Sequence, residues 1–257
     1  GFDMMYLDAL DGEAILGGAE NAWHYGSKYV FELAKRLKKP ALFEMSTFHH
    51  HLWYVRGRMG AWDHPSRWHK RFIDLHSAAN NEGAGLFLPM NLGWWAVKTG
   101  GDIQVEPTFP DDIEYLMTKC LANDNSISLM GMTPDSLEKT PLHRRLAPIF
   151  RQYEELRLGR YFPKSVRERH RAPGDEFTLE QADGKWRFRP VRYERHKVES
   201  SDDWSSRWTT DNRFADQPLA LRIEALMAVA PYDAPEGVVL EDFAKPDAFT
   251  VRETQAG

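Results

Sequence analysis

Short apolar runs alternating with amphipathic segments over roughly residues 1 to 160 constrain this chain more than any other feature of its sequence. Residues 1–8, Gly-Phe-Asp-Met-Met-Tyr-Leu-Asp, read as a buried strand. After the turn-rich Asp8-Ala9-Leu10-Asp11-Gly12, apolar residues at Tyr29, Val30, Leu33, Ala34 and Leu37 have the spacing of a helix over 25–37. Lys38-Lys39-Pro40 stops it, and 41–45 is the next apolar strand. A long polar and aromatic loop (46–65) leads to a helix over 66–80 with Ser66 as its cap, then to a third strand at 83–89. A helix near 111–121, a strand at 126–130 and a helix at 141–158 complete the series.

Strands and helices alternating at these lengths predict parallel βαβ units. A closed (β/α)8 barrel takes about 250 residues, and four units make about half of one. The fold expected for residues 1–163 is therefore α/β, the C-terminal part of a TIM-type barrel whose upstream half is missing. A small open α/β sheet is the alternative, but long loops after the strands suit a barrel mouth better. From residue 164 the texture changes. Glu176-Phe177-Thr178-Leu179-Glu180, Asp183-Gly184 and 185–190 read as a hairpin, and 219–226 alternates like a strand. Residues 164–257 are expected to form an all-β, sandwich-like accessory region, open-ended at Gly257.

Composition removes several classes of function. The net charge is −5, and Lys and Arg are interspersed with acids, which argues against a nucleic-acid partner. No apolar stretch reaches the roughly 18 residues of a membrane span. Cys120 is the single cysteine, so no intrachain disulfide forms, and its apolar helical setting marks it as packing. Gly17-Gly18 and Gly100-Gly101 lack phosphate-loop spacing, and no Gly-x-Ser-x-Gly elbow is present. No cofactor is expected.

In parallel α/β folds, functional groups collect at the C-terminal ends of the strands. Asp8 ends the first strand and Glu44 the second. Adjacent strands lie about 4.8 Å apart, so the two carboxyl groups can approach the roughly 5.5 Å that a retaining glycosidase uses for its nucleophile and its acid/base. The plainer alternative is that Asp8 caps a turn and Glu44 pairs with Arg56 or Arg58. Six of the nine tryptophans fall between 23 and 95, as core or as the walls of a sugar-binding cleft. In the loop after Glu44, Trp53 and Trp62 are candidates for stacking, His49 and His50 for bonding substrate hydroxyls, and Arg56 and Arg58 for a uronate or sulfate. Asn91, Trp94 and Trp95, after the third strand, join them. His49-His50-His51 also invites a metal reading with a third ligand from His24, Asp8 or Glu44, but consecutive imidazoles rarely aim at one ion, and no metal is assigned.

The segment Phe2-Asp3-Met4-Met5-Tyr6-Leu7-Asp8, in the form G-F-D-x-x-Y-x-D, resembles the nucleophile strand of retaining (β/α)8-barrel glycoside hydrolases, the α-galactosidase-like and endo-α-N-acetylgalactosaminidase-like groups above all. The resemblance implies Asp8 as nucleophile. In the second group the acid/base is a glutamate on the next strand, which Glu44 matches. In the first it is an aspartate two strands on, and no aspartate ends the run at 86–90. Asp63, in Arg58-Met59-Gly60-Ala61-Trp62-Asp63-His64, is the competing acid. The resemblance spans about residues 1–160 and implies a hydrolase acting on an oligo- or polysaccharide or a glycoconjugate, in a secreted or periplasmic setting. Two further readings stand beside it: a carbohydrate-binding or scaffold protein without turnover, and a metal-dependent lyase or hydrolase built on His49 to His51.

Overall fold

The computed structural model describes residues 2–8, 17–45, 52, 55, 57–60, 63–64, 70–86, 88–99, 107–194, 196, 207–217, 219 and 221. Strand β1 (Met4–Leu7) is followed by helix α1 (Ala22–Arg36) and strand β2 (Leu42–Met45), which pairs with β1 in parallel from Met4↔Leu42 to Leu7↔Met45. Helix α1 forms because Ala22, Gly26, Ser27 and Val30 recur on one side and are buried, with Lys35 and Arg36 set against the negative end of the helix. It ends where Leu37 turns extended, three residues before Pro40.

Two short strands, β3 (Arg58–Gly60) and β4 (Asp63–His64), occupy the stretch read from sequence as a loop. They lie in series along one edge of β5 (Leu88–Ala96), with Arg58↔Leu88, Gly60↔Asn91, Asp63↔Trp94 and His64↔Trp95 in parallel register. The other edge of β5 carries β6 (Ser126–Met130), also parallel. The Gly57 N–H donates to the Phe43 carbonyl (2.7 Å), and the Leu88 N–H donates to the Gly57 carbonyl (3.0 Å). These bonds link β2 through residue 57 to β5, so the parallel strands follow chain order. Helix α2 (Lys70–Glu82) precedes β5, and α3 (Pro110–Asn123) connects β5 to β6. Pro110 opens α3, the Asp112 carboxylate accepts from the Phe109 N–H (2.9 Å), and Asp124 closes it in the left-handed region at φ 57°.

One face of β1 and β2 carries Leu7, Phe43 and Met45, packed with Val30 of α1 and with Leu52. Alternation puts Met4, Tyr6, Leu42 and Glu44 on the other face. In a flat sheet β1 and β5 would stand about three strand spacings, some 14 Å, apart. Yet the rings of Tyr6 and Trp94 meet edge to face, with centroids 4.6 Å apart. The sheet must therefore curl, with this face concave. The described strands do not close into a barrel.

Helices α4 (Pro134–Lys139) and α5 (Pro141–Leu158) follow β6. Thr133 caps α4 by accepting from the Ser136 N–H (3.2 Å). Helix α5 buries His143, Leu146, Phe150, Tyr153 and Leu156, three or four residues apart. Against the all-β expectation, the chain past 163 begins with a helix, α6 (Lys164–Arg169). The hairpin β7 (Glu176–Ala182) and β8 (Lys185–Val191) then turns on Asp183 and Gly184, both at positive φ (52° and 72°), which is what a two-residue turn between twisted strands requires. Its Leu179, Trp186 and Phe188 pack on the core built by α3 and α5, and Phe188 lies against Phe162 at 4.7 Å. Hairpin and helices thus share one core across the expected domain boundary at 163/164. The strand expected at 219–226 lies outside the described residues apart from Leu219 and Leu221.

Candidate active site on the concave sheet face

The concave face brings a small set of polar and aromatic groups together. Tyr6 stands in register with Glu44 of the neighbouring strand. Asp8, two residues beyond Tyr6, returns to the same face, and the Tyr6 hydroxyl donates to Asp8 Oδ1 at 3.5 Å. One spacing across and two residues along put the Asp8 and Glu44 Cα atoms roughly 8 Å apart on the diagonal. Their carboxyl groups share one face, and the longer glutamate can reach across the stagger. Their surroundings differ: Glu44 is 4% exposed, whereas Asp8 is open to solvent.

Trp94 reaches this face because β5 is irregular. Its register with β6 shifts between Asn91 and Trp94, where Gly93 adopts φ 119°, a conformation open to glycine. Across the bulge Asn91 Oδ1 accepts from the Gly93 N–H (2.9 Å), and Asn91 Nδ2 donates to Ser128 Oγ (3.1 Å) on β6. Trp94 is thereby aimed at Tyr6, while Trp95 and Val97 turn to the helix side and join the core.

The sequence places the third strand at 83–89, ending near Met90-Asn91, whereas the structure turns at 83–86 and runs the strand from Leu88 to Ala96, so Asn91, Trp94 and Trp95 lie within β5 rather than after it. Asn91 is buried with its amide engaged in the bulge, and Trp95 is 7% exposed and packed with Ile73, Leu92 and Leu116 in the core. Asp63 opens β4 level with Trp94, and Arg58 opens β3 level with Leu88. His49, His50, His51, Trp53, Arg56 and Trp62 fall outside the described residues. His24 is exposed on the first turn of α1, its ring edge-on to those of Trp23 and Tyr25. Among the described residues no three His, Cys, Asp or Glu side chains converge as a metal site, and no helix is long and apolar enough to cross a membrane. Tyr6 is the site residue that residue-type reasoning passed over, although its position two before Asp8 already sets it on the same face.

A second polar cluster lies under the hairpin and is structural. Lys119 Nζ stands 3.7 Å from Asp74 Oδ1 and donates to the carbonyls of His170 and Ala172. The Tyr115 hydroxyl (2.6 Å) and the Gly174 N–H (3.0 Å) both donate to Asp74 Oδ2. Burial lowers the Lys119 ammonium against the pull of Asp74, and burial followed by the Asp74 carboxylate pushes the Tyr115 phenol up. These groups are spent on one another and on backbone, tying residues 170–174 to α2 and α3. Burial likewise pushes up the thiol of Cys120, which is fully enclosed.

No family model matches the sequence, and neither a curated protein nor a solved structure matches the chain.

Proposed function

We propose that the chain carries the active site of a retaining glycoside hydrolase, with Asp8 as nucleophile and Glu44 as general acid/base, on an arc of a (β/α)8 barrel. The observation that supports this most is the placement of two carboxylates on one concave face, from adjacent parallel strands, beside the aromatic pair Tyr6 and Trp94. An indole on that face suits the apolar side of a sugar ring. In the first half-reaction an Asp8 oxygen bonds to the anomeric carbon as the bond to the leaving oxygen breaks. Glu44 gives that oxygen its proton, so the aglycone departs as an alcohol and a glycosyl ester remains. In the second, water attacks the anomeric carbon, returns a proton to Glu44 and frees the Asp8 carboxylate. The substrate class is an oligo- or polysaccharide or a glycoconjugate.

The test is hydrolysis of a panel of nitrophenyl glycosides, α-galactoside and α-N-acetylgalactosaminide included, by the chain and its Asp8→Asn, Glu44→Gln and Asp8→Gly variants. Turnover lost in both isosteric variants, with azide converting the Asp8→Gly variant into a producer of glycosyl azide of inverted configuration, supports the assignment. Unimpaired turnover in either isostere rejects it. Quenching of tryptophan fluorescence by a sugar that no panel member's hydrolysis accompanies would replace the enzyme with a carbohydrate-binding protein.

A further inference from the structure

Tyr6 lies between both carboxylates and the Trp94 indole on the concave face, and the catalytic scheme leaves it without a task. It stands in register with Glu44, its ring meets the Trp94 indole at 4.6 Å and 89°, and its hydroxyl donates to Asp8 Oδ1 at 3.5 Å. These contacts span β1, β2 and β5. We propose that Tyr6 is the positioning residue of the site: Trp94, set by the bulge at Gly93, holds the phenol ring, and the phenol hydroxyl fixes the carboxylate of Asp8 for attack on the anomeric carbon. The proposal rests on the glycosidase reading.

Asp8 is exposed just past the end of a four-residue strand, and among the described residues the Tyr6 hydroxyl is the group hydrogen-bonded to its carboxylate. A nucleophile must meet the anomeric carbon in line, and a misplacement of about 1 Å costs up to roughly 10²-fold in rate. At 3.5 Å the bond is long, and a closer approach of the two groups in the reacting complex would strengthen it. Only one oxygen of Asp8 takes part in it, which leaves the other to form the glycosyl ester while the phenol keeps its proton.

Tyr6→Phe removes the hydroxyl and keeps the ring against Trp94, so the fold and its melting temperature are retained. The decisive experiment crosses this change with Asp8→Gly. In the presence of Asp8, Tyr6→Phe lowers kcat/KM about 10- to 100-fold. In the Asp8→Gly background, where azide supplies the nucleophile, the same change leaves the azide-dependent rate within about twofold, because no carboxylate remains to be positioned. Equal losses in both backgrounds would assign Tyr6 to structure or to substrate binding and overturn the proposal. So would full activity of Tyr6→Phe. Asp8→Gly that azide does not rescue, together with an active Asp8→Asn, would overturn the glycosidase reading itself, an outcome separate from either result for Tyr6.

Discussion

The two apolar cores of this chain differ in scale and in what they support. Among the described residues, the core around α3 and α5 buries fifteen hydrophobic side chains and is further covered by the hairpin, whereas the core beneath β1 and β2 buries five. The candidate carboxylates both stand on the smaller side. Strands of four residues, covered on one face by a single described helix, hold the proposed catalytic pair, and the heavily packed helices hold neither member of it. Loosely buried elements open locally at lower cost than dense ones. A site so placed can adjust to a substrate while the larger core keeps the chain folded.

The sharpest way to separate the two regions is chemical. Asp8→Asn is expected to reduce kcat by about 10⁴-fold with the melting temperature unchanged, since Asp8 is exposed, and the buried Glu44→Gln to reduce it by about 10²- to 10⁴-fold. Paired turnover assays and thermal melts check this.

Packing gives the next largest contrast. Leu146 and Met45 are both fully buried, and truncating either to alanine is expected to cost about 2–5 kcal/mol. Leu146→Ala lowers the urea midpoint of the whole chain. Met45→Ala instead speeds amide exchange in β1 and β2 and leaves the protection of α3 intact. Equal loss of protection in α3 would show that the two cores unfold as one unit.

pH probes the larger core through Glu114 and His170. Burial pushes the Glu114 carboxyl from 4.5 up to about 7, although the Thr178 hydroxyl donates to it at 2.6 Å and the Leu179 N–H also favours its charged form. The folded chain therefore holds this proton to higher pH than the unfolded chain. The stabilisation is complete below pH 4.5 and is lost as pH rises to about 7, by at most about 3 kcal/mol. Glu114→Gln is expected to flatten that loss between pH 5 and pH 8 in urea melts. His170 contributes the opposite slope. Burial lowers its ring below 6.5, so its share of stability is present above pH 6.5 and is lost as pH falls.

The smallest effect expected is at the far end of the smaller region. Lys39 Nζ lies 2.5 Å from Asp3 Oδ1, with side chains 53% and 89% exposed. Surface pairs of this kind contribute about 0.5 kcal/mol or less. Lys39→Ala is expected to leave both the melting temperature and kcat/KM unchanged within error, because the pair sits at the opposite strand ends from Asp8.

Helix α5 runs from Pro141 to Leu158 where the sequence places it, because a proline start and apolar residues at steps of three and four are local signals. The hairpin is legible for the same reason: Asp183-Gly184 is the turn that positive φ at two successive residues demands. Strands β3 and β4 were hidden in a polar, aromatic stretch, since segments of two or three residues are too short to show periodicity and exist only by pairing with β5. The extension of β5 to Ala96 was hidden too. Its bulge breaks the alternation of period two that marks a strand, and that break decides which of Trp94 and Trp95 faces the candidate site.

What the sequence alone determined is the order and kind of the long elements, and the fact that Asp8 and Glu44 close successive apolar runs. These follow from spacing along the chain. Only the tertiary structure decided that the sheet curls, that Tyr6 and Trp94 meet across it, and that the hairpin is packed onto the helices. Those contacts join residues 88 positions apart or, for the hairpin, depend on which helical face is left apolar once the rest has packed. No local pattern encodes such contacts, because their energy is gained only when distant surfaces leave water together.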